Sequence, residues 1–160
     1  MKIILMGQQA FGKSALEKFH TGSDHEVVAV YCAPDKEGKP LDPVKEYAQS
    51  VGLPVFQPSN FKDQSVLDQI KSHDADLCVM AYVIIFVPEA ARDIPKHGSV
   101  CFHPSLLPLH RGPSSINWPI IGGATKTGLT IFYPNDGLDE GEILLQKEVE
   151  IGPDDTLGDV

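Results

Sequence analysis

The chain is expected to adopt an α/β fold with a mostly parallel sheet and helices on both faces. Three observations predict it. Short β-branched runs alternate with segments of helical spacing along most of the chain. Polar, Gly- and Pro-rich segments follow the strands, where connections at the carboxyl edge of such a sheet would lie. At 160 residues, with 42% hydrophobic and 22% charged residues, the chain is long and apolar enough to bury one core.

Each element has its own local reason. Residues 2–6 are a short apolar run ending at Gly7, the signature of a buried strand. Residues 10–19 place apolar side chains at 10, 11, 15 and 19, a helical spacing. HEVVAVYC (25–32) is β-branched and reads as the second strand. A polar loop, APDKEGKPLDP, follows it. Residues 43–50 form a helix and 55–57 a short strand. Residues 65–71 form a further helix carrying Val66, Leu67 and Ile70. DLCVMAY lies in a buried strand (76–82). Pro88 favours a short helix over 88–94, since proline suits the first helical position. A strand is expected at 99–102, a helix at 114–121, and two more strands at 126–133 and 143–151. The chain then stops within one turn of a candidate helix cap, Asp154 or Asp155. That ending gives the expectation of a single domain, residues 1–160, cut short at its carboxyl end.

Charge and cysteines narrow the class. Thirteen basic against 22 acidic residues leave a formal charge of −9, which disfavours nucleic acid and anionic lipid as partners. No apolar run approaches the roughly 20 residues of a membrane span. Cys32, Cys78 and Cys101 are odd in number and widely spaced, as in a reducing cytoplasm, with neither a disulfide framework nor zinc spacing.

GQQAFGKS, residues 7–14, matches the phosphate-loop spacing G-x-x-x-x-G-K-S between a strand and a helix. A nucleotide-binding reading therefore stands as an alternative. Against it, Phe11 would sit beside phosphate oxygens, and no later apolar strand ends in the Asp that would hold magnesium. The competing expectation is structural: Gly7 and Gly12 allow a tight connection, Phe11 and Leu16 face the core, and Lys13 is solvated.

The densest polar cluster is SVCFHPSLLPLHRGPSSINW (99–118). His103 sits at a strand end, with Ser105, His110, Arg111 and Ser114 in the loop after it. A second cluster, NDGLDEGE (135–142), places Asp139 among glycines. A His and an Asp meeting at a sheet edge form a general acid/base pair. A hydrogen-bonded structural histidine and a solvated acidic turn are the plainer alternatives. A metal held by His103, His110 and Asp139 has no specific spacing to support it, and the calcium-loop pattern is absent.

HPSLLP…RG followed by DGLDEGEILLQ resembles the folate-dependent formyltransferases, most closely the hydrolase domains of the 10-formyltetrahydrofolate dehydrogenases and more distantly the methionyl-tRNA formyltransferases. The resemblance covers essentially the whole chain. It implies a Rossmann-like three-layer fold lacking its carboxyl-terminal end, in a cytoplasmic protein, and leaves further carboxyl-terminal domains open. It also implies 10-formyltetrahydrofolate as formyl donor, water or an amine as acceptor, and no metal. By the same resemblance, His103 matches the catalytic histidine and Asp139 the catalytic aspartate. Ile85, Phe86 and Val87 match the lining of the pteridine pocket, and Ser105, Leu106, Leu107 and Pro108 a second folate-contacting stretch. Cys101 stands where many of the transferases have an Asn that donates to the oxyanion. A thiol is a weak donor, so that difference favours the hydrolase branch. Cys101 itself is read either as a nucleophile or as a small strand residue.

Overall fold

The structure is a computed structural model describing all 160 residues. Twelve elements follow one another: β1 (Lys2–Gly7), α1 (Gln9–Thr21), β2 (Glu26–Tyr31), α2 (Pro43–Ser50), β3 (Val55–Phe56), α3 (Gln64–Ser72), β4 (Leu77–Ala81), α4 (Glu89–Arg92), β5 (Ser99–His103), α5 (Asn117–Ile121), β6 (Lys126–Pro134) and β7 (Gly141–Glu150). The strands are ordered β3-β2-β1-β4-β5-β6-β7. Two compact units divide the chain, Met1–Val100 and Cys101–Val160.

In the first unit, β1 pairs in parallel with β2 and β4, and β2 pairs in parallel with β3. The central position of β1 explains its unbroken apolar run: Ile3, Ile4, Leu5 and Met6 are all buried. One core joins Leu5, Leu16, Val27, Val30, Val44 and Ala48 beneath α1 and α2. Each fully buried Leu or Val of this set contributes about 1.5–3 kcal/mol. Gly7 is needed for a close approach, because a Cβ there would collide with the Ala81 carbonyl at the end of β4. Leu16 is buried, and the Lys13 side chain is partly solvated at 44% exposure, as the structural reading of this segment expects. Phe11 departs from that reading: it is 40% exposed, because α1 begins at Gln9 and turns residue 11 outward.

In the second unit, β5 and β6 run antiparallel, as do β6 and β7. These three strands carry the site described below. The start of α5 differs from the sequence expectation. α5 starts at Asn117 rather than 114, since Ser114 takes a left-handed conformation (φ 60°) that ordinary helix excludes. Near the end of the sequence, the Asp155 carboxylate accepts the Gly152 N–H at 2.7 Å, closing a turn. No helix of the chain is long and apolar enough to cross a membrane.

The phosphate-loop motif is occupied from within. The Asp42 carboxylate accepts the N–H of Gln9 at 2.9 and 3.0 Å and that of Val44 at 2.9 Å, so one side chain caps both α1 and α2. A phosphate at the start of α1 would meet this fixed negative charge. Lys13, the residue that would reach the phosphates, lies on the helix surface 3.7 Å from Glu17. These contacts argue against the nucleotide reading.

Candidate active site

The second unit brings the two sequence-predicted catalytic groups together. His103 ends β5 and is buried. Asp139 lies in the turn between β6 and β7, where φ is 48°. The β6–β7 hairpin pairs Tyr133 with Glu142 and Pro134 with Gly141, carrying the turn back to the end of β5. His103 Nδ1 then lies 3.5 Å from Asp139 Oδ2. The same carboxylate oxygen accepts the Gly112 N–H at 2.6 Å.

The other ring nitrogen is also held. His103 Nε2 donates to the His110 carbonyl at 2.9 Å. A carbonyl only accepts, so the hydrogen is on Nε2. Nδ1 in turn faces a carboxylate, also an acceptor. An imidazolium, with a hydrogen on each nitrogen, satisfies both partners at once. The loop that supplies them is bent by left-handed residues at His110 (φ 52°), Gly112 (φ 81°) and Ser114 (φ 60°). Three such residues within five positions turn the loop tightly, and its His110 carbonyl and Gly112 N–H reach His103 and Asp139.

Cys101 is two residues before His103 on the same strand, so both side chains share one face. Its thiol lies 3.6 Å from the Phe102 carbonyl. Burial, reinforced by the nearby Asp139 charge, pushes the thiol up to about 12. A thiol raised this far stays protonated at neutral pH and offers only a weak neutral donor.

The segment after His103 is fixed to the sheet. Ser105 is fully buried and its hydroxyl donates to the Leu109 carbonyl at 2.7 Å. Leu107 is buried, while Pro108 is exposed and joined to it by a cis peptide bond. Leu106 lies over Gly128 of β6, where a Cβ would collide with its branched end. Arg111 sits 3.5 Å from Glu140 at the surface, a pair of little energetic weight. No group of three or more His, Cys, Asp or Glu side chains is arranged to hold a metal ion.

Ile85, Phe86 and Val87 belong to the first unit, between β4 and α4. Val87 is buried, Ile85 is half-buried and Phe86 is 51% exposed, with the Lys62 ammonium 5.7 Å from its ring centre. Ile84 and Ile85 also line a shallow cleft with Tyr82, Tyr31 and Phe61. Sequence reasoning missed Thr130 and Gln146, which hold the Ser105–Leu107 backbone, and the His110 carbonyl on the His103 ring. Alternation pointed the other way: a polar Thr130 between apolar Leu129 and Ile131 reads as the outward face of a strand.

Known proteins match along this whole arrangement. The human cytosolic 10-formyltetrahydrofolate dehydrogenase is 44% identical over 162 residues, which are 98% of this chain and 18% of that protein. A methionyl-tRNA formyltransferase from Alkaliphilus oremlandii is 42% identical over 165 residues, covering 100% of this chain and 53% of the relative. The chain thus spans about a fifth of the one and half of the other. Among solved structures, a phosphoribosylglycinamide formyltransferase from Bacillus halodurans superposes with a TM-score of 0.81 at 24% identity, over 99% of this chain and 84% of that one, and so shares the fold. The profile of the family described as Formyl transferase matches residues 1–160, and the chain belongs to that family.

Proposed function

We propose that this domain takes a formyl group from 10-formyltetrahydrofolate and passes it to water or a small amine. The observation that carries the proposal is His103 held between the Asp139 carboxylate and the His110 carbonyl. Attack on the formyl carbon forms a C–O or C–N bond and leaves a tetrahedral oxyanion. The His103 imidazolium stabilises that charge and gives its proton to N10 as the C–N10 bond breaks. The proton lost by the attacking water or amine restores the His103–Asp139 pair. Tetrahydrofolate leaves together with formate or the formylated amine. Asp139 keeps the ring oriented and balances its charge. Groups placed in this way contribute about 10²–10⁴-fold each.

By the family resemblance, Ser105 to Pro108 of the second unit would touch the folate, and Ile85, Phe86 and Val87 of the first unit would line a pteridine pocket. The exposed Phe86 ring suits a flat heteroaromatic partner. Cys101, protonated and a poor donor, supports water over an amine as acceptor. A formal charge of −9 opposes a tRNA acceptor. A cytoplasmic location fits three cysteines that form no disulfide.

The test is incubation with 10-formyltetrahydrofolate, with and without candidate amines, following tetrahydrofolate and formate. Formate release by the unmodified protein is expected. His103→Ala and Asp139→Ala should each reduce it by at least about 10²-fold while circular dichroism stays unchanged. Retained turnover in either variant refutes the assigned roles.

A further inference from the structure

Thr130 is fully buried in β6, between two strands that both reach the site. It pairs with His103 on β5 and with Gln146 on β7. Directly paired residues of neighbouring strands project to the same face, so His103, Thr130 and Gln146 form one row across the sheet.

The chain after His103 folds back onto this row. The Thr130 hydroxyl donates to the Ser105 carbonyl at 2.7 Å. It accepts the Leu107 N–H at 3.1 Å and an amide hydrogen of Gln146 at 3.0 Å. The other hydrogen of the Gln146 amide goes to the Leu107 carbonyl at 2.8 Å. The hydroxyl's single donor and both of its acceptor sites are therefore used. The Gln146 orientation is fixed as well, because its oxygen would face the Leu107 carbonyl if the amide were reversed.

We infer that Gln146, acting through Thr130, is a positioning residue for folate: the two clamp the Ser105–Leu107 backbone in the shape that receives the donor. This rests on the proposed function, in which that stretch touches the folate. Neither side chain takes part in proton transfer. Loosening the clamp disturbs donor binding before it disturbs chemistry, so its signature is a rise in KM and not a fall in kcat.

Three kinds of variant test it. Gln146→Leu removes both amide donors. Gln146→Glu keeps size and shape but sets a carboxylate against the Leu107 carbonyl. Thr130→Ser keeps the hydroxyl and serves as the conservative rescue, against Thr130→Val. Gln146→Leu, Gln146→Glu and Thr130→Val should each raise the KM for 10-formyltetrahydrofolate about tenfold, a loss of roughly 1.4 kcal/mol, with kcat within about twofold. Binding of 5-formyltetrahydrofolate, measured by titration calorimetry well below the melting temperature, should weaken by the same factor. Thr130→Ser should restore the unmodified protein's KM. An unchanged KM in both Gln146 variants, or a fall in kcat at constant KM, overturns the inference. Gln146 lies on an exposed strand, so the Glu variant gives a folded protein to measure even if Thr130→Val does not. If the unmodified protein binds no 5-formyltetrahydrofolate and turns over no 10-formyltetrahydrofolate, the functional reading fails first and the clamp with it.

Discussion

At the scale of single residues, Cys101 separates proximity from participation. It shares a face with His103, but its thiol titrates near 12, raised by burial and then by Asp139. At pH 8 the ionised fraction is on the order of 10⁻⁴, from the difference between 8 and about 12. Iodoacetamide should therefore label Cys101 far more slowly than a free thiol in the same tube, and equally rapid labelling would contradict this environment. Cys101→Ala should keep formate release within several-fold of the unmodified protein. A loss comparable to that of His103→Ala would restore the nucleophile reading. The protonation also carries a stability consequence with a definite sign. The folded value lies above that of an unfolded thiol, so the contribution is complete below about pH 8.5. It is lost as the pH rises above that point toward the folded value.

At the scale of elements, Asp42 joins two helices through one carboxylate. Asp42→Ala should remove the cap from α2 and leave the Gln9 N–H without its acceptor, costing about 1–2 kcal/mol. A chain of this length should melt about 3–8 °C lower as a result, with Asp42→Asn in between. An unchanged melting curve would mean that water replaces the carboxylate without loss. The same contact shows why the opening motif misled. Its Gly, Lys and Ser have the right spacing, but spacing carries no information about an acceptor 33 residues further along the chain. Strands and helices were legible because burial imposes a period: the Ile3–Met6 run of β1 is apolar and buried. The ends of elements were less legible. Ser114 takes a left-handed conformation in the loop after His103, and local propensity does not register that demand. His103 and Asp139 could be picked out by type and position, at a strand end and in a Gly-rich turn. The His110 carbonyl and the Gly112 N–H could not, because every residue has these groups and only the folded loop selects which ones matter.

At the scale of the whole molecule, pH acts through a few groups. Burial lowers the His73 value, and its Nε2 accepts the Tyr31 hydroxyl at 2.8 Å. The folded state thus takes up a proton less readily than the unfolded chain, whose histidine titrates near 6.5. The associated stability is complete above about pH 6.5 and is lost as the pH falls through the lower folded value. Urea midpoints at pH 7.5 and 5.5 should differ more for the unmodified protein than for His73→Gln, and equal differences would remove His73 from the explanation. The outermost strand bears on what happens at lower pH still. β7 runs for ten residues at the end of the strand order and leaves Ile143, Leu144 and Leu145 largely exposed among Glu142, Lys147, Glu148 and Glu150. While the molecule is strongly anionic, mutual repulsion shields that greasy margin from its counterpart on another copy. Around pH 5.0, where net charge vanishes, the shield is gone. A concentrated sample should cloud there and clear again at pH 8, and Leu144→Lys should keep it transparent throughout.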